Sequence, residues 1–293
     1  MIRAIRANFG SPQIAIACAV VLLALFLLTV LAPWIAPHDP IQVNLAHKLS
    51  PPSWEYPLGT DHLGRCMLSR LLYGARVSLG FASLIFISSL GIGLLIGTLS
   101  GYIGGWMDYV LMRFCEGVMA FPSLVLVLGL VGVFGPGLAQ VVLAMVLVQW
   151  VYYARMFRGM VISLKERNFI AAARISGSSQ WNIIRRHIIP NVLPPIVVMG
   201  TLEIGWAIMD IAALSFLGLG IQPPSPEWGS MIHEGKAYIR SNPELMMYPG
   251  LLILLIVVMF NLLGEALSER LGVKKRFGKD GELKWYRRSR YWK

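Results

Sequence analysis

The first long apolar segment constrains this chain most, because its 22 residues from Ile14 to Ile35 contain no charged side chain. A helix needs about 20 mostly apolar residues to cross the hydrocarbon core of a bilayer. A signal peptide is the competing interpretation, since Arg3 and Arg6 precede the segment. The run exceeds the roughly 7 to 15 apolar residues of a signal-peptide core, and LAPWIAP is a poor cleavage site. We therefore expect a retained membrane span.

The rest of the chain also has the composition of a membrane protein. Hydrophobic residues make up 56% of the 293 residues and charged residues 14%, whereas a soluble domain has about 25% charged residues. Five further apolar segments run about Val77 to Leu99, Leu111 to Val133, Leu138 to Tyr153, Val192 to Leu219 and Tyr248 to Leu267. These segments predict an all-α integral membrane protein with six transmembrane helices and no large soluble domain.

Positive charges predict the orientation, because short loops rich in Lys and Arg stay on the cytoplasmic side. With both ends in the cytoplasm, 20 of the 26 lysines and arginines fall in cytoplasmic segments. The outside keeps six of them, Lys48, Arg65, Arg70, Arg76, Lys236 and Arg240. The net charge of +11 is spread over the flanking loops and the basic tail, so it does not indicate nucleic-acid binding. Anionic lipid headgroups are one expected partner of the tail, and a solvated, disordered end is the alternative.

The most informative polar segment lies between the fourth and fifth predicted spans, from Phe169 to Pro195. Residues 169–176 and 179–189 have helical periodicity, and one face of the second piece carries Trp181, Ile184 and Ile188. Gly177 separates the pieces, where a reversing chain can use a positive φ without a Cβ penalty. Pro190 marks the start of the next span. The pattern predicts two short cytoplasmic helices joined by a turn.

Three roles for this loop follow from its residues. It can lie on the lipid surface, dock in a groove of a soluble partner, or pack inside the protein. Ala171, Ala172 and Ala173 favour a partner, because small side chains allow another protein to approach closely. A helix lying on lipid would present bulky apolar side chains there.

The loop resembles the EAA loop of permease subunits of ABC importers, and Gly177 and Pro190 keep the separation of that motif. Ala171 stands where the family usually has glutamate. Other motifs are similar to the shorter permease subunit of dipeptide, oligopeptide and nickel importers. They are LGTDHLGR at 58–65, RVSLG at 76–80, SFLGLGIQPPSPEWG at 215–229 and FNLLGEALSERL at 260–271.

This resemblance implies a type I ABC importer permease fold in a bacterial inner membrane, with both ends cytoplasmic. Residues 1–76 would form the first span and an external segment, 77–268 a five-helix core with its coupling loop at 154–190, and 269–293 the tail. The implied partners are a homologous second permease, two ATP-binding subunits that hold ATP and magnesium, and an extracytoplasmic solute-binding protein. The chain itself would bind no cofactor and would form half of a pore for short peptides, nickel or metal chelates.

A repeat of small residues marks the second predicted span. Gly93, Gly97, Gly101 and Gly105 recur every four residues, which places them on one helix face and lets a neighbouring backbone approach closely. Helix packing is the expected role. Sliding along this smooth face during gating is the alternative.

Two acidic residues fall inside the fifth predicted span. Glu203 and Asp210 are seven residues apart and share a helix face with Trp206. Each costs roughly 2.5 to 3.5 kcal/mol near the bilayer centre, so such residues normally face a cavity or pair. One interpretation is a water-lined pathway that attracts a cationic group. The other is a structural pair with an arginine of another subunit.

Several motifs are missing from the sequence. No phosphate-binding loop of the form G-x-x-x-x-G-K-[ST] occurs, so any ATP must be hydrolysed by another chain. The sequence also lacks a nucleophile elbow, a paired general acid and base, and a zincin motif, so it does not indicate an enzyme. His38, Asp39, His47, Asp61 and His62 have no metal-site spacing, so we expect no metal site. An ion-coupled secondary transporter that uses Glu203 and Asp210 is the alternative function, although such carriers often show two repeated halves, which we do not find.

Overall fold

The computed structural model describes residues 12–271, and within this range the chain is helical, with one isolated β-bridge between Thr60 and Cys66. The long helices are α1 (Pro12–Val30), α3 (Met67–Ile103), α6 (Leu138–Lys165), α9 (Ile189–Phe216) and α11 (Glu244–Arg270). The shorter helices are α2 (Ala32–Ile35), α4 (Gly105–Met119), α5 (Ser123–Phe134), α7 (Asn168–Ile175), α8 (Gln180–Ile183) and α10 (Trp228–Gly235). Arg3, Arg6 and the tail from residue 272 lie outside the described residues.

Five of the described helices are long and apolar enough to cross a membrane, and the number is six if the bent pair α4 and α5 is one span. We call the end of the bundle with residues 166–188 the inner end, following the predicted orientation. The end with residues 36–66 and 217–243 is the outer end.

The third predicted span, Leu111 to Val133, is not one continuous helix. α4 ends at Met119, α5 begins at Ser123, and their axes differ by 87°. Pro122 lies at the break, has no backbone N–H to donate, and disfavours a helical conformation for the residue before it. The bend opens space on one side of α6.

Two other helices extend beyond the predicted apolar segments. α3 has 37 residues, about 55 Å at 1.5 Å per residue, which exceeds the hydrocarbon thickness of about 30 Å. The predicted domain boundary after residue 76 therefore falls inside α3. α6 continues past Tyr153 to Lys165, so the first third of the predicted loop 154–190 is the end of this helix.

Three of the four spaced glycines place α3 directly against α6. A Cβ at Gly93 or Gly97 would overlap backbone or Cβ atoms at Tyr153 and Ala154, and one at Gly101 would lie 2.9 Å from the Arg158 carbonyl oxygen. Gly105 does not belong to this face. It begins α4 with a φ of 69°, after α3 has ended, and among the described residues no other heavy atom lies within 4 Å of its Cβ position.

A buried group of four charges fixes the outer end, and we call it the outer network: Asp61, Arg65, Arg70 and Glu234. Arg65 donates from Nε to Asp61 Oδ2 at 2.6 Å and from Nη2 to Glu234 Oε2 at 2.7 Å. Arg70 Nη2 donates to the same Glu234 oxygen at 2.8 Å. Both arginine side chains are 1% exposed. The network joins the external segment to α3 and α10.

Candidate functional site

The inner loop consists of α7, a turn, α8 and one turn of π-helix, Ile184–Ile188, that leads into α9. Gly177 adopts a φ of 77° in the turn, the left-handed conformation that its sequence position predicts. Ser179 caps α8, because its hydroxyl accepts a bond from the Asn182 amide at 3.3 Å. Pro190 lies in the first turn of α9, directly after the π-turn.

The buried face of this loop differs from the predicted one. Ile170, Ile183 and Ile188 are at most 1% exposed and belong to one apolar cluster with Phe157 and Val161 of α6. Ile183 and Ile188 are five residues apart, the spacing of the π-turn between them. Trp181, which the regular periodicity placed with Ile184 and Ile188, is 68% exposed instead.

Apolar and small side chains lie on the side of the loop that faces away from the helix bundle. We call this the loop surface, and it consists of Phe169, Ala171, Ala172, Ile175 and Trp181, all of them exposed. Ile175 is 88% exposed. Ala173 is half-buried and packs against the apolar cluster instead. An exposed apolar patch of this kind on a polar loop is typical of a protein contact.

A cavity of about 500 Å³ lies where α4 and α5 bend away from α6 and α9. It is lined by all three residues that the sequence analysis singled out in the fifth predicted span, Glu203, Trp206 and Asp210. α6 contributes Gln149, Tyr152 and Tyr153, and the bend contributes Val118, Met119, Phe121 and Ser123. The bend in the third span therefore creates the space that Glu203 and Asp210 face.

The cavity is acidic. Tyr153 donates its hydroxyl hydrogen to Glu203 Oε2 at 3.1 Å. The lining contains no Lys, Arg or His, and neither carboxylate makes a salt bridge with another residue of the range 12–271. Two carboxylates without a cation from the described part of the chain favour a cationic group that comes from elsewhere.

The outer network brings three metal-ligating side chains together. Ligand atoms of Asp61, His62 and Glu234 lie within 4.8 Å of one another. Arg65 and Arg70 already neutralise both carboxylates, so the group does not have the charge of a divalent cation site. Burial lowers the pKa of His62 from its ordinary value, although Asp61 and Glu234 act in the opposite direction. The His62 imidazole instead stacks on Tyr238, with ring centroids 5.5 Å apart.

Comparison with known proteins identifies the family. Residues 93–276 match the family described as binding-protein-dependent transport system inner membrane component. Residues 4–52 match the N-terminal TM domain of oligopeptide transport permease C. The chain is 40% identical over 264 residues to the nickel transport system permease protein NikC of Escherichia coli (strain K12), covering 90% of this chain and 95% of that protein. The chain belongs to this permease family.

Other relatives and a solved structure agree. The permease is 39% identical over 266 residues to the probable D,D-dipeptide transport system permease protein DdpC of the same strain, at 90% and 89% coverage. The inward-facing MetNI methionine ABC transporter shares its fold, with a TM-score of 0.54, 20% identity and coverage of 70% of this chain and 97% of that chain. The predicted ABC importer permease fold and inner-membrane location are confirmed.

Three residues that line the permease's cavity were not predicted from its sequence. Gln149, Tyr152 and Tyr153 line it, and the sequence does not distinguish them, because a polar or aromatic residue near a span end is common. Gln149 and Tyr153 are four residues apart, so they share a helix face. That spacing, opposite two intramembrane carboxylates, was the available signal.

Proposed function

We propose that this permease forms half of the translocation pore of an ATP-driven importer. Its partners are a homologous second permease, two ATP-binding subunits and an extracytoplasmic solute-binding protein. ATP and magnesium bind at the ATP-binding subunits, which hydrolyse the ATP, and the permease holds no cofactor. ATP-driven movement switches the pore between outward and inward access by a population shift between two arrangements. Family membership supports this function over the ion-coupled alternative.

The loop surface is the proposed contact with an ATP-binding subunit. Apolar exposure at Ile175 and Trp181, together with the small Ala171 and Ala172, suits a groove on a protein. The buried side of the same loop packs on α6, so a force applied to the surface reaches a membrane helix directly. Gly177 forms the turn between α7 and α8, and Pro190 lies at the start of α9.

Crosslinking tests the contact. The three native cysteines are buried, so a cysteine in Ala172→Cys is the accessible one in the described part of the chain. We expect a thiol crosslinker to capture an ATP-hydrolysing subunit in native membranes. Trp54→Cys, fully exposed at the outer end, is the matched control and should capture none. Equal capture from both positions, or none from Ala172→Cys, contradicts the proposal.

The solute is proposed to contain a cationic group, such as the amine of a short peptide or a free or complexed nickel ion. The observation that supports this is the pair of carboxylates, Glu203 and Asp210, that face a cavity without a basic lining residue. Tyr152, Tyr153 and Trp206 add aromatic faces that attract cations. The relatives transport nickel or dipeptides, as their names state. Mass spectrometry of the solute-binding protein's bound ligand would identify the solute.

Removing both cavity charges tests the pathway. We expect Glu203→Gln with Asp210→Asn to lower ATP-driven uptake in proteoliposomes about tenfold, a barrier increase of about 1.4 kcal/mol. Glu116→Gln is the control, because this exposed carboxylate pairs with Arg113 outside the cavity. Unchanged uptake in the double variant would remove the pathway role. Loss of complex assembly would favour a structural pair with an arginine of the second permease.

The two transport classes differ in their energy source. Uptake that requires ATP inside vesicles and survives a protonophore supports the importer. Collapse by the protonophore alone, with ATP present, supports the ion-coupled carrier.

A further inference from the structure

A second polar group, at the inner end, joins three helices that are separate in sequence. Arg158 of α6 holds Asp108 in the first turn of α4 through two bonds, from Nε at 2.5 Å and from Nη2 at 2.6 Å. Ser100 of α3 donates its hydroxyl hydrogen to the same carboxylate. The Arg158 and Asp108 side chains are 32% and 14% exposed, so this bidentate pair is shielded from water more than a surface pair.

Lys165 completes this group at the last residue of α6. Its ammonium donates to the carbonyl oxygen of Tyr102 at 2.5 Å and lies 5.3 Å from the centre of the Tyr102 ring. It therefore satisfies a carbonyl at the carboxyl end of α3, where cations are favoured. We call Ser100, Asp108, Arg158 and Lys165 the inner clasp.

The inner clasp contributes more to holding α4 in place than to holding α3 or α6. α3 and α6 are in direct backbone contact through Gly93, Gly97 and Gly101. α4 buries only Met112 and Cys115, against Val151 of α6, while Trp106 and Phe114 are 79% and 57% exposed. The bend after Met119 also separates it from α5. The inner clasp is thus the main polar attachment of α4 within the described residues.

The two ends of α4 touch different parts of the proposed machinery. Asp108 lies at the inner end, beside the helix that leads into the coupling loop. Val118 and Met119, at the other end, line the cavity. Met119 follows Asp108 by eleven positions, which is about 16 Å along the helix. A rigid helix of this length carries a displacement at Asp108 to the cavity wall.

We propose that the Asp108–Arg158 ion pair makes α4 move with α6, so that displacement of the loop surface repositions Val118 and Met119 at the cavity. Asp108 and Arg158 are positioning residues, because neither lines the cavity. This inference rests on the proposed coupling function. It assigns the transmission step to one ion pair that lies outside the cavity lining.

Substitution of Asp108 separates transmission from assembly. Asp108→Asn keeps the shape of the side chain and a hydrogen-bond acceptor but removes the charge. In the complete importer we expect ATP hydrolysis to continue, while solute taken up per ATP falls about tenfold, within the range of coupling between two sites in allosteric proteins. Glu116→Gln breaks the exposed Arg113–Glu116 pair on the same helix and should leave this ratio unchanged.

A distance measurement reads the movement itself. Spin labels are placed at Gly117→Cys on α4, where a Cβ is free of contacts with the described residues, and at the exposed Ile175→Cys. With the clasp intact, we expect the same distance with and without trapped ATP, because α4, α6 and the loop move together. In Asp108→Asn the distance should shift or broaden when ATP is trapped.

Each result decides the proposal. Wild-type uptake per ATP in Asp108→Asn, or a nucleotide-dependent distance in the unsubstituted clasp, would overturn it. If Asp108→Asn fails to assemble, Arg158→Lys keeps the charge and removes the bidentate geometry, and failure of both shows that the clasp serves assembly only. Failure of the proposed function is distinguishable, because then Ala172→Cys would not crosslink to an ATP-hydrolysing subunit even with the clasp intact.

Discussion

At Gly97 the residue type is dictated by a neighbouring backbone. A Cβ there would overlap the Ala154 carbonyl oxygen, an atom that cannot rotate away. We expect Gly97→Leu to separate α3 from α6, at a cost of about 1 to 3 kcal/mol or more, and to reduce the amount of assembled importer. Gly91→Leu is the matched control on the same helix, because its Cβ would meet no described atom within 4 Å. Size-exclusion chromatography of the detergent-purified complex measures the difference.

His62 gives the outer end a dependence on pH. Burial lowers its pKa below the ordinary value of 6.5, so the unfolded chain takes up a proton more readily than the folded chain. Stability contributed by the neutral imidazole is therefore present above about pH 6.5 and decreases as the pH falls below it. We expect the melting temperature of the purified complex to fall less between pH 8 and pH 6 in His62→Phe, which keeps the ring beside Tyr238. An identical pH dependence in both proteins would contradict this.

At the residue scale, the sequence shows which side chains are chemically unusual better than it shows which residues they contact. Glu203 and Asp210 stand out because charge is rare in a span, and the structure places both at one cavity. Arg65 and Arg70 look like ordinary loop cations in the sequence, yet both are buried. Their partner Glu234 is more than 160 residues away, so local pattern contains no sign of the pair.

At the scale of elements, the inner loop has one buried apolar face and one exposed apolar face. We expect Ile188→Ala to lower the free energy of unfolding by about 2 to 5 kcal/mol, because Ile188 is fully buried. Trp181→Ala should leave the stability unchanged but weaken co-purification of the ATP-binding subunits. Thermal unfolding and pull-down measure the two effects. Reversed effects would mean that the regular helical periodicity, with Trp181 inside, describes the loop correctly.

Helix existence was predictable, and helix shape was not. Hydropathy locates the residues that lie within the bilayer. It does not show where the backbone hydrogen bonds of a helix begin and end. α3 therefore begins 10 residues before the predicted start at Val77, and α6 continues past the predicted end at Tyr153 to Lys165. The bend at Pro122 has a local cause, yet hydropathy averages across it. Gly105 satisfied the four-residue period, but the helix had already ended at Ile103.

At the scale of the whole molecule, the outer network connects the external segment to α3 and α10. Glu234→Gln leaves Arg65 and Arg70 with Asp61 as their remaining carboxylate, and we expect a loss of about 3 to 5 kcal/mol of stability. Glu55→Gln, at an exposed position of the external segment, is the control. Thermal unfolding of the purified importer compares the two, and equal melting temperatures would show that the network does not stabilise the outer end.

The outer network also has a consequence for biogenesis. Glu234 follows Arg65 by 169 residues and Arg70 by 164. At about 5 to 20 residues per second, the ribosome supplies this carboxylate on the order of 10 to 30 s after the two arginines. The external segment and the start of α3 must therefore be inserted with one acidic partner, Asp61, for two guanidinium groups. A nascent chain stalled before residue 234 should expose the external segment to proteases, and release of the stall should protect it.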